Sequence, residues 1–79
     1  MKTGSSQYPK ILDVLAERLK TLRLKAGLSQ EELADKAECH RTYVGMIERK
    51  QSNPSVKLLA AIADALHVTV SDLLSSGHK

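Results

Sequence analysis

Aromatic side chains are scarce in this sequence. The 79 residues include no phenylalanine and no tryptophan, and the only tyrosines are Tyr8 and Tyr43. Proteins that bind single-stranded nucleic acid stack the bases on several exposed rings, so the composition disfavours that class. A core without large aromatic side chains has to be filled by aliphatic ones, and a chain of this length allows one small domain.

Long hydrophobic runs are also missing. No apolar stretch is long enough to cross a bilayer. The first residues do not show the charged, apolar and small-residue regions of a secretory signal. We therefore expect no membrane contact and a cytoplasmic location.

Groups that carry out chemistry are few. The lone cysteine, Cys39, cannot form an internal disulfide, and we expect a packed thiol because a redox switch would need a resolving cysteine. Cys39, His40 and His67 lack the spacing of a zinc site. The sequence shows no nucleophile and base pair and no phosphate-binding glycine loop, so it predicts no enzyme, no cofactor, no metal and no small-molecule ligand.

The sequence does contain two short helical patterns separated by a tight turn at residues 38–40. Ser29 and Glu32 have the spacing of a capping box, and Leu28 and Leu33 have that of a hydrophobic staple. The first pattern therefore begins at Ser29. Two short helices joined by such a turn form a helix-turn-helix, which places its second helix in the DNA major groove.

The second pattern has one buried and one solvent-facing side. At 100° per residue Val44 and Ile47 share the inner side. The outer side carries donor, apolar and cationic groups, namely Arg41, Thr42, Met46 and Arg49, beside Gly45. Arginine can contact guanine O6 and N7 with two hydrogen bonds, and threonine and methionine can contact a thymine methyl. We therefore expect Arg41, Thr42 and Met46 to read bases.

Glu48 lies close to the inner side of the same helix, where an unpaired carboxylate would be costly. Arg23 is the best-placed cation, because it lies at the edge of the apolar stripe of the helix that precedes the helix-turn-helix. A bidentate pair between the two would tie the recognition helix to the first helix. This structural role is favoured over a catalytic one, because a general acid needs a cleft and companion groups.

Residues 28–54 resemble the XRE family of helix-turn-helix proteins, which includes phage Cro and repressor domains and restriction-modification controller proteins. The resemblance extends over about residues 15–74. Its elements are Gly27-Leu28-Ser29-Gln30, Glu32-Leu33-Ala34, Arg41-Thr42-Tyr43-Val44, Ile47-Glu48-Arg49, Asn53-Pro54-Ser55 and Val68-Thr69-Val70-Ser71-Asp72-Leu73-Leu74. The resemblance implies that Gln30 anchors a phosphate and can touch a base, that Arg41 and Thr42 read bases, and that Arg23 and Glu48 form a structural pair.

Three positions depart from the family pattern. Glu38 and His67 stand at turn positions where the family often has glycine. If their φ is positive, each costs on the order of 1 kcal/mol. His40 replaces the usual serine, threonine or aspartate cap of the recognition helix. The cap is therefore expected to be weaker, by about 1 kcal/mol, or His40 contacts a phosphate.

The remaining sequence predicts an all-α, compact five-helix bundle. We expect a disordered tail at residues 1–8, the helix-turn-helix domain at 9–75 and a C-terminal tail at 76–79. The first helix should run from about Pro9 to Ala26, with Gly27 as its stop. The break at 53–55 precedes a fourth helix that ends at Leu66, and Thr69 and Asp72 can form the capping box of a fifth.

The fourth helix is unusually apolar for one small core. We expect a second apolar surface at the C-terminal half, used as a twofold dimer interface. Its expected members are Leu58, Val68, Val70 and Leu74. The alternative is that all of these side chains are buried in a monomer core.

The formal net charge is only +3, so the distribution of charge matters more than its sum. Basic and polar groups concentrate in the half that carries the helix-turn-helix. Those expected to contact phosphates are Gln30, Lys36, His40, Tyr43, Arg49, Lys50, Ser52 and Asn53.

These features together predict a homodimeric transcriptional regulator that binds a (pseudo)palindromic operator in double-stranded DNA. Two recognition helices would enter successive major grooves about 34 Å apart. Whether RNA polymerase is blocked or recruited would depend on operator position. The rival reading is an antitoxin-like or adaptor module that uses the apolar surface on a protein partner, because a fold alone does not fix a function.

Overall fold

The structure, a computed structural model, describes residues 7–75, which form five α-helices and no strand. The helices are α1 (Gln7–Lys25), α2 (Gln30–Ala37), α3 (Arg41–Glu48), α4 (Val56–Leu66) and α5 (Val70–Leu74). The predicted all-α, five-helix class with a helix-turn-helix is confirmed, and α2 and α3 are its two helices. Of the predicted tails, residues 1–6 and 76–79 lie outside the described residues.

Helix α1 begins at Gln7, two residues before the expected start at Pro9. Proline is tolerated there because the N–H groups of a first helical turn have no partner within the helix. Residues 7 and 8 of the expected tail therefore belong to the helix. Its C-terminal end, at Lys25, lies one residue before the predicted Ala26.

Both predicted capping boxes are present. The Ser29 Oγ accepts from the Glu32 backbone N at 3.0 Å, and the Glu32 carboxylate accepts from the Ser29 N at 2.8 Å. Thr69 and Asp72 make the same reciprocal pair at the start of α5, at 3.0 and 2.9 Å. The hydrogen bond from the backbone of Ser29 lowers the pKa of Glu32, and that from Thr69 lowers the pKa of Asp72.

Each of the first four helices is followed, within two residues of its end, by a residue in the left-handed region. These residues are Gly27, Glu38, Lys50 and His67, with φ between 58° and 75°. In each case the following N–H bonds back to a carbonyl five residues earlier, as in a Schellman motif. The sequence raised a positive φ at Glu38 and His67 as a possibility, and the structure shows it there and also at Lys50.

The core lies between the helices and is entirely aliphatic. Helix α2 packs against α3 and α4, and α1 packs against α3 and α5. The buried apolar residues of the core are Leu15, Leu19, Leu33, Ala34, Ala37, Val44, Ile47, Leu59, Ile62, Ala63, Leu66 and Leu73. Val44 and Ile47 thus form the inner stripe of α3 that the angular pattern predicts.

The C-terminal apolar residues are divided between the core and the surface. Of the predicted interface residues, Leu58, Val68 and Val70 pack partly buried against the core. Leu74 is 40% exposed, and Val56 at the start of α4 is 76% exposed. Among residues 7–75, no helix combines the length and apolar character needed to cross a membrane.

Candidate nucleic-acid interface

A shallow groove of about 270 Å³ runs along the outer side of α3, where α2 meets it. Its lining residues are Gln30, Glu31, Arg41, Thr42, Gly45 and Arg49. The structure therefore brings together three of the four predicted base-reading residues. Met46, the fourth, is half-buried and does not line the groove.

Gly45 is the floor of this groove. It lies on α3 between the buried Val44 and the partly buried Met46 and is itself buried. A methyl group in place of its side-chain hydrogen would lie 3.0 Å from Arg49 Nη1 and 3.2 Å from Gln30 Oε1. The absence of a side chain therefore lets Arg49 and Gln30 lie close against the helix surface.

A buried hydrogen-bonded network supports the groove from below. The Arg23 guanidinium donates to both carboxylate oxygens of Glu48, at 2.6 and 3.0 Å, and to the Leu28 carbonyl at 2.8 Å. The side chains of Arg23 and Glu48 are only 8% and 6% exposed. The pair predicted from angles is therefore present, and it links α1 to α3.

Gln30 is part of the same network. Its Nε2 donates to Glu48 Oε1 at 3.0 Å, which leaves its carbonyl oxygen beside Gly45 and the groove. Burial raises the pKa of the Glu48 carboxyl, but the hydrogen bonds from Arg23 and Gln30 outweigh this effect, and the net pKa is lowered. Glu48 therefore stays ionised, and the orientation of the Gln30 amide is fixed.

The guanidinium of Arg41 is held by an acidic neighbour. Its Nη1 donates to Glu31 Oε2 at 3.0 Å, and the two side chains are 68% and 71% exposed. Nothing in the local spacing of the sequence singles out Glu31 as the partner of Arg41. The available signal was an acidic residue in the first turn of α2, but its distance to Arg41 depends on how α2 and α3 cross.

His40 caps α3 and orients Thr42. Its Nδ1 accepts from the Thr42 backbone N at 3.2 Å and lies 2.9 Å from Thr42 Oγ1. Both Thr42 groups can donate only if Nδ1 carries no proton. The ring also contacts Tyr43 edge-on, with 6.4 Å between ring centroids. The cap that the sequence made doubtful is therefore formed by the imidazole.

The predicted phosphate-binding residues are distributed more widely. Tyr43, Lys50 and Asn53 are exposed, and Ser52 is half-buried. Lys50 Nζ lies 3.1 Å from Asp13 Oδ1 of α1. Arg49 Nε donates to Gln51 Oε1 at 2.9 Å, a contact that the sequence did not suggest.

Lys36 stands apart from this set. It lines a separate groove between α2 and α4, together with Ala61 and Asp64. The structure therefore does not bring Lys36 to the groove on α3, and its contact with phosphate stays a prediction.

Comparison with known proteins places the chain among regulators with this geometry. Residues 19–73 match the helix-turn-helix family HTH_3. The control protein C.SmaI of Serratia marcescens is 42% identical over 65 residues, which are 82% of this chain and 77% of that protein. The immunity repressor protein of Bacillus phage phi105 is 40% identical over 60 residues, which are 76% of this chain but 42% of the repressor.

Solved structures show the same fold. The restriction-modification controller protein C.AhdI from Aeromonas hydrophila superposes with a TM-score of 0.76 at 40% sequence identity. The match covers 78% of this chain and 94% of that one. The fold is thus shared with that controller protein over most of this chain and nearly all of that one.

Proposed function

The chain belongs to the helix-turn-helix family HTH_3, and we propose that it is a transcriptional regulator that binds double-stranded DNA through α3. The relatives named above are a control protein, a phage repressor and a controller protein. A regulator of this kind works on DNA in the cytoplasm.

The observation that carries the proposal is the outer face of α3. The inner face of α3 is fixed in the core by Val44 and Ile47, whereas Arg41, Thr42 and Arg49 remain exposed around the groove. A rigid helix with two guanidinium groups on its free side suits the major groove, which is wide enough to admit a helix and presents acceptor atoms on guanine. We assign base reading to Arg41, Thr42, Met46 and Gln30.

Phosphate contacts would fix the register of this helix on the duplex without reading sequence. The side chains for this role lie around the groove and in the loop after α3. They are Gln30, His40, Tyr43, Arg49, Lys50, Ser52 and Asn53, with Lys36 more distant. Because Lys50 pairs with Asp13 in the free protein, a phosphate would have to replace that carboxylate.

We further propose that the protein binds as a homodimer to a (pseudo)palindromic operator, with the two copies of α3 about 34 Å apart. Leu74 and Val56 supply exposed apolar surface for such an interface. Operator position would then decide whether RNA polymerase is occluded or recruited, as in a small controller-type regulator.

The test is selection of bound duplexes from a randomised oligonucleotide pool, followed by competition titrations with two variants. Arg41→Ala should weaken binding to the selected duplex and relax the preference at one position, by roughly 1–3 kcal/mol. Lys50→Ala should weaken binding to all duplexes similarly and reduce the salt slope by about one.

Three results would count against the proposal. Wild-type preference retained by Arg41→Ala would remove that residue from base reading. Sequence-specific binding would be contradicted if selection enriched no sequence and if the affinity for DNA depended only on its charge. Retention of a stoichiometric protein partner in place of DNA would favour the interaction-module reading.

A further inference from the structure

The ion pair between Arg41 and Glu31 lies in the groove that is proposed to face DNA. An acidic side chain is unexpected there, because a DNA backbone is uniformly negative and repels it. The pair is largely exposed, and exposed pairs of this kind contribute little to stability. The pair itself therefore adds little to folding, although a carboxylate in the first turn of α2 also favours the start of that helix.

The geometry leaves most of the guanidinium available. Arginine has five N–H donors, and within residues 7–75 the only described contact of the Arg41 guanidinium is that of Nη1 with Glu31. The edge formed by Nε and Nη2 can still make the two parallel hydrogen bonds that guanine O6 and N7 accept. Glu31 would hold the opposite corner of the fork and limit its rotation.

The carboxylate has its own complement on a base edge. In the major groove the only donors are the amino groups of cytosine and adenine, and glutamate accepts from cytosine N4. A phosphate offers acceptors alone, so a phosphate at Arg41 would bring a second anion next to Glu31. The pair is therefore matched to a base edge with acceptors beside a donor, and mismatched to the backbone.

We propose that Glu31 is a specificity-determining residue, and that Glu31 and Arg41 together read a guanine and the amino group of a cytosine paired or stacked with it. The proposal rests on the proposed function and deepens it. It assigns to Glu31 two effects: acceptance of the cytosine amino proton, and rejection of phosphate as an alternative partner for Arg41.

The experiment compares Glu31→Gln with wild type on two probes. One is the duplex selected by wild type from a randomised pool, and the other is a scrambled duplex of equal length and base composition. Glu17→Gln is the matched control, because it makes the same change of net charge at an exposed position of α1. Thermal melts of all three proteins establish that they are folded.

Glu31→Gln should bind the scrambled duplex more tightly than Glu17→Gln does, and its ratio of selected to scrambled affinity should fall roughly five- to tenfold. Selection repeated with Glu31→Gln should lose the preference for cytosine at one position. Equal effects of the two variants would mean that Glu31 acts only through its contribution to the net charge, and would overturn the proposal. A selected sequence that Glu31→Gln leaves unchanged would also overturn it. Failure of wild type itself to select any duplex would instead refute the proposed function, and this proposal with it.

Discussion

Within residues 7–75, three residues other than glycine occupy a backbone region that glycine enters without strain. Glu38, Lys50 and His67 have φ of 58°, 63° and 59°. A Cβ in this region crowds the following carbonyl, at a cost of roughly 1–2 kcal/mol. Replacing Glu38 or His67 with glycine should therefore remove this strain one residue at a time.

Glu38→Gly should therefore stabilise the protein by about 1 kcal/mol, after the greater unfolded-state freedom of glycine is counted. For a domain of this size, that gain raises the melting temperature by about 4–8 °C. Thermal and urea unfolding would measure it. The matched control is Gly27→Ala: at Gly27 a Cβ would meet no atom within 4 Å, so the expected loss, of similar size, reports backbone strain alone. Equal stability of the two variants would contradict the strain account.

The buried pair of Arg23 and Glu48 allows a second prediction at the scale of single residues. Arg23→Met removes the partner of a carboxylate whose side chain is almost fully buried. Breaking such a pair costs about 3–5 kcal/mol, because the remaining charge is left uncompensated. Urea unfolding at pH 7 would measure the loss.

The double variant Arg23→Met with Glu48→Leu is the control for that experiment. Replacing both partners with apolar side chains of similar size is often neutral. We expect the double variant to recover most of the stability, although Gln30 then loses its acceptor. A double variant as unstable as the single one would show that the loss comes from packing and not from the unpaired carboxylate.

At the scale of helices, ionised carboxylates stabilise three helix ends. These are the starts of α2 and α5 and the C-terminal end of α3, where Glu48 lies. The pKa of Glu32, Glu48 and Asp72 is lowered in the folded protein, for Glu32 and Asp72 mainly by backbone hydrogen bonds at the caps. A carboxyl with a lowered folded-state pKa stabilises the protein above its unfolded pKa, and this contribution is lost as the pH falls through the folded value.

Stability should therefore be flat near neutral pH and fall as the pH drops below about 5 towards 2. Urea unfolding across this range would measure the fall. Glu32→Gln should make the acid limb shallower, because the amide can accept from the Ser29 N without titrating. Stability that rises on acidification, or an acid limb that Glu32→Gln leaves unchanged, would contradict this assignment.

The elements that could be predicted from sequence are those fixed by neighbouring residues. The capping boxes at Ser29 and Thr69 follow from a spacing of three, and the stripe of Val44 and Ile47 follows from helical periodicity. The left-handed Lys50 could not be predicted, because neither glycine nor asparagine marks the position. The contact of Arg41 with Glu31 could not be predicted either. It depends on the crossing of α2 and α3, which the local spacing of residues does not specify.

For the whole molecule, the balance between core and interface decides how the protein assembles. The apolar residues of the C-terminal half exceeded what a small core was expected to bury, yet Leu58, Val68 and Val70 pack partly into it. The periodic pattern could not show this, because the fit of α4 and α5 against the other helices is a tertiary property. Leu74 and Val56 are the apolar residues of α4 and α5 that remain most exposed, and the proposed dimer would rest on few side chains.

A single charge should consequently be enough to separate the subunits of the proposed dimer. Leu74→Glu is expected to shift the protein from dimer to monomer in sedimentation while leaving its melting behaviour as a monomer unchanged, because Leu74 is exposed whereas its neighbour Leu73 is buried. Leu24→Glu places the same charge on an exposed leucine of α1 and should leave the dimer intact.

DNA binding gives the sharper measurement, because a dimer gains affinity from holding two half-sites at once. That linkage is worth 10²-fold or more in favourable geometry, so Leu74→Glu should lose roughly 10²-fold on a duplex with two half-sites and little on a duplex with one. Leu24→Glu should match wild type on both. Equal losses on the two duplexes would place Leu74 in the DNA contact itself, and no loss on either would contradict the proposal that Leu74 holds a dimer together.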